Sequence, residues 1–230
     1  MARIMERPSP NFDARPAGQA VDMLILHYTG MESAGAAFAR MGDPAAKVSA
    51  HYCIEEDGAL YRLVDEKERA WHAGVAEWGG RSDVNARSIG IELINPGHEF
   101  GYRPFPEAQI AALMALAQEI LARHLIPPRH VLGHSDVAPL RKEDPGELFD
   151  WARLAAAGIG LWPGNAQPSG PPEEAEIRRA LAAFGYGYLE EDLRAVVTAF
   201  QRHFRPDGMS GDMDAETAGR LNALLGLERL

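Results

Sequence analysis

Two short apolar runs constrain the fold of this chain most strongly. They are VDMLIL at residues 21–26 and SIGIELI at residues 88–94. Apolar runs of this length are typical of strands buried inside a sheet. The first run ends directly before His27, so the predicted strand carries this imidazole at its C-terminal end, where open sheets build their sites. The second run contains Glu92, and an ionised carboxylate in apolar surroundings needs a partner.

Helical and hairpin patterns lie around these runs. Residues 33–41 are rich in alanine and begin at Ser33, a residue type that favours helix N-caps. The runs 48–54 and 59–64 flank an Asp-Gly pair, which predicts a β-hairpin. Residues 106–125 place apolar side chains on one face at helical spacing. Strands separated by helices, with one hairpin, predict an α/β fold with a mixed central sheet flanked by helices.

Two further segments define the predicted organisation of the chain. Residues 69–85 mix aromatics and glycines with neither strand nor helix period, which predicts a long surface loop. The Pro- and Gly-rich sequence at residues 162–172 predicts a linker. We therefore expect a first domain of residues 1–162, a linker of residues 163–172 and a small domain of residues 173–230.

The small domain carries apolar residues at helical spacing in three segments, at residues 173–184, 190–204 and 214–225. This pattern predicts a three-helix module. Because a core of this size stabilises a domain only marginally, we expect the module to pack against the first domain.

The composition excludes several classes of function. The 230-residue chain has 33 acidic against 23 basic residues and a net charge of −10, whereas nucleic-acid-binding proteins concentrate Lys and Arg. We therefore expect no nucleic-acid partner. No window approaches the roughly 18 consecutive apolar residues of a transmembrane helix. The N-terminal residues 1–10 contain no apolar export segment, so we expect a cytoplasmic protein, with the periplasm or cell envelope as the alternative. The single cysteine, Cys53, excludes an intramolecular disulfide.

An irregular loop, GHSDVAPLRKEDPG at residues 133–146, holds His134, Lys142 and Asp144. Its prolines and glycines exclude a regular helix or strand through it. A catalytic zinc site takes three protein ligands from His, Asp, Glu or Cys. His27, His134 and Asp144 provide such a set if the strand end and the loop meet. A single histidine is more often structural than a ligand, so spacing alone leaves both interpretations open.

Short blocks of sequence also occur in a specific order along the chain. They are HYTG at 27–30, VSAHY at 48–52, RAWHAG at 69–74, SIGIEL at 88–93, and the two halves of the loop at 133–139 and 141–146. Together they resemble the zinc-dependent N-acetylmuramoyl-L-alanine amidases, a family related in fold to peptidoglycan recognition proteins. The resemblance covers roughly residues 20–160. The small domain resembles, more weakly, the peptidoglycan-binding domain of wall hydrolases, at residues 181–186, 197–201 and 207–217.

The resemblance implies a role for each charged group. His27, His134 and Asp144 would hold one zinc ion, which lowers the pKa of its bound water and polarises the scissile carbonyl. Glu92 would take a proton from that water and pass it to the leaving amine. Lys142 would stabilise the oxyanion of the tetrahedral intermediate.

The substrate that the resemblance implies is a muropeptide or peptidoglycan. The bond cleaved would be the amide between N-acetylmuramic acid, in ordinary or 1,6-anhydro form, and L-Ala of the stem peptide. Trp71 would offer a platform for sugar or peptide, and Lys47 and Arg141 would pair with stem-peptide carboxylates. Asn85 matches an asparagine that the family keeps near the peptide, although the following Ala86 and Arg87 depart from the aspartate of some members.

Three alternatives remain at this point. The chain would be an exported hydrolase acting on intact wall, a different zinc amidohydrolase such as an endopeptidase, or a non-catalytic peptidoglycan sensor. Sensors of this fold typically lose a zinc ligand, and all three candidate ligands are present here. The sequence therefore favours an enzyme.

Overall fold

The structure, a computed structural model, describes residues 3–164, 166–170 and 172–227. In these ranges the strands are β1 (Ile4–Glu6), β2 (Phe12–Ala14), β3 (Met23–Tyr28), β4 (Tyr52–Ile54), β5 (Leu60–Arg62), β6 (Glu68–Ala70), β7 (Glu77–Trp78), β8 (Arg81–Ser82), β9 (Ser88–Leu93) and β10 (Val131–Gly133). The helices are α1 (Ala34–Gly42), α2 (Val84–Arg87), α3 (Gly97–Phe100), α4 (Glu107–Arg123), α5 (His134–Val137), α6 (Trp151–Ala156), α7 (Glu174–Phe184), α8 (Leu193–Phe204) and α9 (Ala215–Leu227).

The central sheet is mixed and has the strand order β1-β5-β4-β9-β3-β10. In the described part of the chain, the hairpin of β4 and β5 is the one antiparallel pair of this sheet, and the other neighbours run parallel. The two apolar runs of the sequence form the adjacent strands β3 and β9 in the middle of the sheet. The predicted α/β fold with a mixed sheet is confirmed.

The two faces of this sheet are covered by different parts of the chain. Leu24 and Leu26 of β3 pack with the apolar face of α4, in one buried cluster. Met23 and Ile25 alternate with them and pack on the opposite face with the C-terminal helices α7, α8 and α9. Since side chains alternate along a strand, His27 shares the face of Met23 and Ile25. The imidazole therefore lies on the side of the sheet that the C-terminal helices cover.

The helices agree closely with the sequence prediction. Ser33 caps α1 by accepting a hydrogen bond from the backbone N–H of Ala36 at 3.2 Å. Helix α4 buries Ile110, Leu113 and Ile120 on one face, as the spacing predicts. The three C-terminal helices form, and they share a hydrophobic cluster with the first part of the chain.

Residues 69–85 differ from the predicted surface loop. They contain the two-stranded ribbon of β7 and β8, the short helix α2, and β6, which pairs with β2. Much of this segment is buried, including Trp78 at 1% exposure. The sequence shows no strand or helix periodicity here because each element spans only two to four residues.

Of the predicted linker, Asn165 and Pro171 lie outside the described residues, as do Met1, Ala2 and residues 228–230. Within the described ranges, every helix is too short or too polar to cross a lipid bilayer.

Candidate metal centre and active-site cleft

The end of β3 and the loop after β10 bring three predicted ligands together. The Nδ1 atom of His27 lies 3.0 Å from Nδ1 of His134 and 2.9 Å from Oδ2 of Asp144. The Nδ1 atom of His134 lies 3.1 Å from the same Oδ2 atom. All three side chains are buried, and among the described residues they form the one His and acid cluster with metal-ligand spacing.

The proton on the His27 ring follows from a chain of hydrogen bonds behind it. The Ser88 hydroxyl donates to the carbonyl of Val84 at 2.6 Å, so its oxygen accepts from Nε2–H of His72 at 3.1 Å. A neutral His72 then has a bare Nδ1, which accepts from Nε2–H of His27 at 3.0 Å. The His27 ring therefore presents a bare Nδ1 to the cluster.

His72 is held tightly in this position. Its ring packs over Gly90 of β9, where an added Cβ would lie 2.5 Å from the His72 Cγ atom, so any larger residue at that position would displace the ring. The side-chain oxygen of Asn85 accepts hydrogen bonds from the backbone N–H groups of His72 and Ala73 at 3.1 and 2.7 Å. Burial, and then the neighbouring His27, lower the pKa of His72 well below its usual value, which keeps the ring neutral.

The second imidazole is oriented by the backbone. The Nε2 atom of His134 lies 3.0 Å from the carbonyl oxygen of Ala73, which can only accept, so the proton sits on Nε2. His134 therefore also turns a bare Nδ1 toward Asp144. In both histidines one ring nitrogen is fixed by a partner and the other is free to bind a metal, the arrangement common to metal-ligating histidines.

Burial and neighbouring charges also shift the pKa values of His27 and Asp144. Burial, and then the nearby His134, lower the pKa of His27 to about 4. Burial raises the pKa of Asp144, but the adjacent His134 and His27 outweigh it and hold that pKa well below its usual value. At neutral pH the His27 imidazole is thus neutral and the Asp144 carboxylate ionised, the states that bind a metal.

Three acceptor atoms therefore converge without a hydrogen between them. Such a cluster is repulsive unless a cation lies between its members. In a tetrahedral zinc site with bonds of about 2.0 Å, neighbouring ligand atoms lie about 3.3 Å apart, and the separations here are 2.9 to 3.1 Å. The residues present thus fit a zinc ion in both donor type and spacing.

Glu92 lies beside this cluster. It is the register partner of His27 in the parallel pair of β9 and β3, so both side chains leave the same face of the sheet. Its Oε2 atom is buried and has no hydrogen-bond partner in the part of the chain that the structure describes. Burial, and then the charge of Asp144, raise the pKa of Glu92 well above its usual value, while Lys142 partly opposes this shift.

A cleft of about 890 Å³ opens over these groups. His27, Glu92, His134 and Asp144 line it, and so do His72, Arg141 and Lys142. The guanidinium of Arg141 donates to the backbone carbonyls of Ala73 and Val75, the latter at 2.6 Å from Nη2.

The other predicted binding residues do not line the cleft. Lys47 is exposed, and its neighbour Val48 contributes to the wall instead. Trp71 is half-buried, and its indole N–H donates to Asp13 at 3.1 Å. Asn85 is buried, and its side-chain oxygen is engaged by the backbone that carries His72.

Two contributions to the site escaped the sequence analysis. His72 lies inside a recognised block, but its contact with His27 requires the fold to bring residues of β3 and the 69–85 segment together. Helix α8 adds Arg194, Thr198 and Arg202 to the cleft wall, and the resemblance at residues 197–201 indicates wall binding rather than a place in this cleft.

Comparison with known proteins reveals close similarity over most of the chain. The family pattern described as N-acetylmuramoyl-L-alanine amidase matches residues 17–147. The Escherichia coli N-acetylmuramoyl-L-alanine amidase AmiD is 38% identical, over 96% of this chain and 90% of its own length. Its structure with the substrate anhydro-N-acetylmuramic acid-L-Ala-D-gamma-Glu-L-Lys has a TM-score of 0.80 at 36% identity and covers 92% of each chain.

Two further relatives differ in how much of the chain they match. AmpDH3 from Pseudomonas aeruginosa, in complex with anhydromuramic pentapeptide, has a TM-score of 0.81 at 33% identity, covering 93% of this chain and 94% of its own. The 1,6-anhydro-N-acetylmuramyl-L-alanine amidase AmpD from Haemophilus influenzae is 36% identical over 65% of this chain and 89% of its own length. The similarity to AmiD and AmpDH3 therefore includes the C-terminal helices.

Proposed function

This chain belongs to the N-acetylmuramoyl-L-alanine amidase family, and we propose that it cleaves soluble anhydro-muropeptides with one zinc ion held by His27, His134 and Asp144. The bond hydrolysed is the amide between the lactyl group of N-acetylmuramic acid and L-Ala of the peptide. One observation carries the assignment of the metal site: three acceptor atoms of buried side chains converge within 3.1 Å, with both histidine protons turned away.

A zinc ion in such a site supplies Lewis acidity, which polarises a carbonyl and makes water more acidic. The residues around it have separate roles. His72 and Ala73 fix the rings of His27 and His134, so that the two Nδ1 atoms keep their positions through turnover.

Glu92 is the proposed general base and acid. Its buried Oε2 takes a proton from the attacking water as the water oxygen bonds to the carbonyl carbon. When the C–N bond breaks, the same carboxyl returns the proton to the L-Ala nitrogen, which leaves as an amine. Burial raises the pKa of Glu92, which favours uptake of the proton from water and its return to the amine.

Lys142 is the proposed stabiliser of the oxyanion. It lies in the same loop as Asp144 and lines the cleft, and no described acidic residue forms an ion pair with its ammonium group. A cation at this position stabilises negative charge that develops on the carbonyl oxygen in the transition state.

The substrate class is inferred from the relatives, since AmiD and AmpDH3 both form complexes with anhydromuramyl peptides. Arg141 lines the cleft and remains the proposed partner of a stem-peptide carboxylate. Lys47, Trp71 and Asn85 remain predictions as substrate-binding residues, as does the cytoplasmic location.

Mass spectrometry of reaction products tests this function. The purified protein is incubated with anhydro-N-acetylmuramyl-L-Ala-γ-D-Glu-L-Lys, with and without a zinc chelator. We expect two products, anhydro-N-acetylmuramic acid and the free tripeptide, and neither in the chelated sample. Cleavage within the peptide would instead indicate an endopeptidase, and an intact substrate would indicate a sensor.

A further inference from the structure

Helix α8 of the C-terminal part forms one wall of the active-site cleft. Its residues Arg194, Ala195, Thr198 and Arg202 line the same cavity as the three metal-binding candidates. The substrate site is therefore shared between the sheet and a helix that the sequence assigns to a separate small domain.

Helix α8 is fixed to the short helix α5, which begins at His134. Asp136 of α5 is fully buried and accepts hydrogen bonds from the Gly133 N–H at 2.8 Å, the Tyr186 hydroxyl at 2.6 Å and Nδ1 of His203 at 2.7 Å. The His203 ring also stacks on Trp151, with centroids 3.7 Å apart. Because a buried carboxylate without these partners would be strongly unfavourable, α8 keeps its place beside the cleft.

Arg202 precedes His203 and, among the residues that the structure describes, has no hydrogen-bond or ion-pair partner. Its Nε atom is buried without a hydrogen bond, and no described residue forms an ion pair with its guanidinium. Two acids that line the same cleft are engaged elsewhere: Asp192 accepts from the N–H of Ala195 at the start of α8, and Glu143 lies 3.3 Å from His98.

The other arginines of the C-terminal helices are different. Arg194 pairs with Asp212 at 2.8 Å, and Arg205 pairs with Asp214 at 2.6 Å and Glu216 at 2.9 Å. A half-buried guanidinium without such a partner is unfavourable in the free protein, since a buried donor loses its water. Arg202 is thus a cation in the cleft wall that lacks an anion.

We propose that Arg202 binds a carboxylate of the stem peptide, so that the C-terminal helices form part of the substrate site. The inference rests on the proposed function, which supplies a peptide as substrate. A γ-linked D-Glu keeps its α-carboxylate free, and the terminal L-Lys has a second free carboxylate. The planar guanidinium of Arg202 can donate two parallel hydrogen bonds to either group.

Calorimetric binding of the tripeptide L-Ala-γ-D-Glu-L-Lys to the full-length zinc-loaded protein tests this site without relying on hydrolysis. We expect Arg202→Gln to weaken binding about tenfold, the scale of one charge-assisted hydrogen-bonded pair. Arg202→Lys should recover only part of the loss, because lysine keeps the charge without the paired donors. A tripeptide with both carboxylates amidated should bind the wild-type and Arg202→Gln proteins equally.

Arg179→Gln is the matched control, since Arg179 is 72% exposed on α7 and lies outside the cleft. It should bind the tripeptide as the wild type does. Equal tripeptide affinity of Arg202→Gln and wild type would overturn the inference, as would an equal loss with the amidated peptide or no binding to the wild type. If the proposed function is wrong, the muropeptide stays uncleaved in the mass-spectrometric product assay, and this result does not depend on the binding measurement.

Discussion

Each histidine ligand of the proposed metal site depends on one hydrogen bond made by its other ring nitrogen. His27 relies on His72, and His134 relies on the carbonyl of Ala73. The resemblance of short sequence blocks predicted His27, His134 and Asp144, and the structure brings these three side chains together. It could not predict His72, because the role of that residue depends on a ring-to-ring contact across 45 positions of the chain.

Glu92 allows metal binding and proton transfer to be separated. The Glu92→Gln variant keeps the shape and the burial but cannot take a proton. We expect it to bind zinc as the wild type does. Its rate of muropeptide hydrolysis should fall by about 100-fold or more, the usual effect of losing a general base. Elemental analysis and turnover rates measure the two properties. Glu119→Gln on the surface of α4 is the control, and a wild-type rate in Glu92→Gln would assign Glu92 a structural role.

At the scale of elements, Glu66 connects the sheet to the end of α4. Its carboxylate accepts from the Tyr52 hydroxyl of β4 at 2.7 Å, from Arg123 at 2.6 Å and lies 2.7 Å from Nε2 of His124. Burial raises the pKa of Glu66, but hydrogen bonds from Arg123, His124 and Tyr52 outweigh it and lower the pKa to about 2. The ionised form is therefore the one that the fold stabilises.

This shift predicts a pH dependence of stability. Because the folded-state pKa is depressed, the contribution of Glu66 is fully present above its unfolded value of about 4.5 and is lost as pH falls through about 2. Glu66→Gln should lower the free energy of unfolding by about 1–3 kcal/mol at pH 7, and by less at about pH 3. Urea denaturation of both proteins at each pH measures this. A difference that stays constant between the two pH values would contradict the account, and Glu119→Gln, whose carboxylate is 3.7 Å from Arg123, is the control.

The elements themselves were predictable to different degrees. Helix α4 and the strands β3 and β9 follow from apolar patterns that span several residues, and all three formed as expected. The 69–85 segment did not, because its short strands are defined by tertiary pairing, such as β6 with β2, rather than by local periodicity.

In the whole molecule, the C-terminal helices and the sheet share one hydrophobic core. Phe184, Tyr186 and Phe200 pack in the same cluster as Met23 and Ile25 of β3. The sequence predicted a three-helix module that packs on the first domain. It could not predict which face of the sheet is covered, and that choice places α8 in the cleft wall on the side of His27.

The central claim is that amide hydrolysis requires one metal ion held by His27, His134 and Asp144. Stepwise return of zinc to the chelator-stripped protein, with the rate of tripeptide release followed at each step, tests it most directly. The account predicts no release without metal, a linear rise in rate and a plateau at one zinc per chain, while His134→Ala neither retains zinc nor recovers activity. Full activity of the metal-free protein, or one bound zinc per chain in His134→Ala, would contradict it.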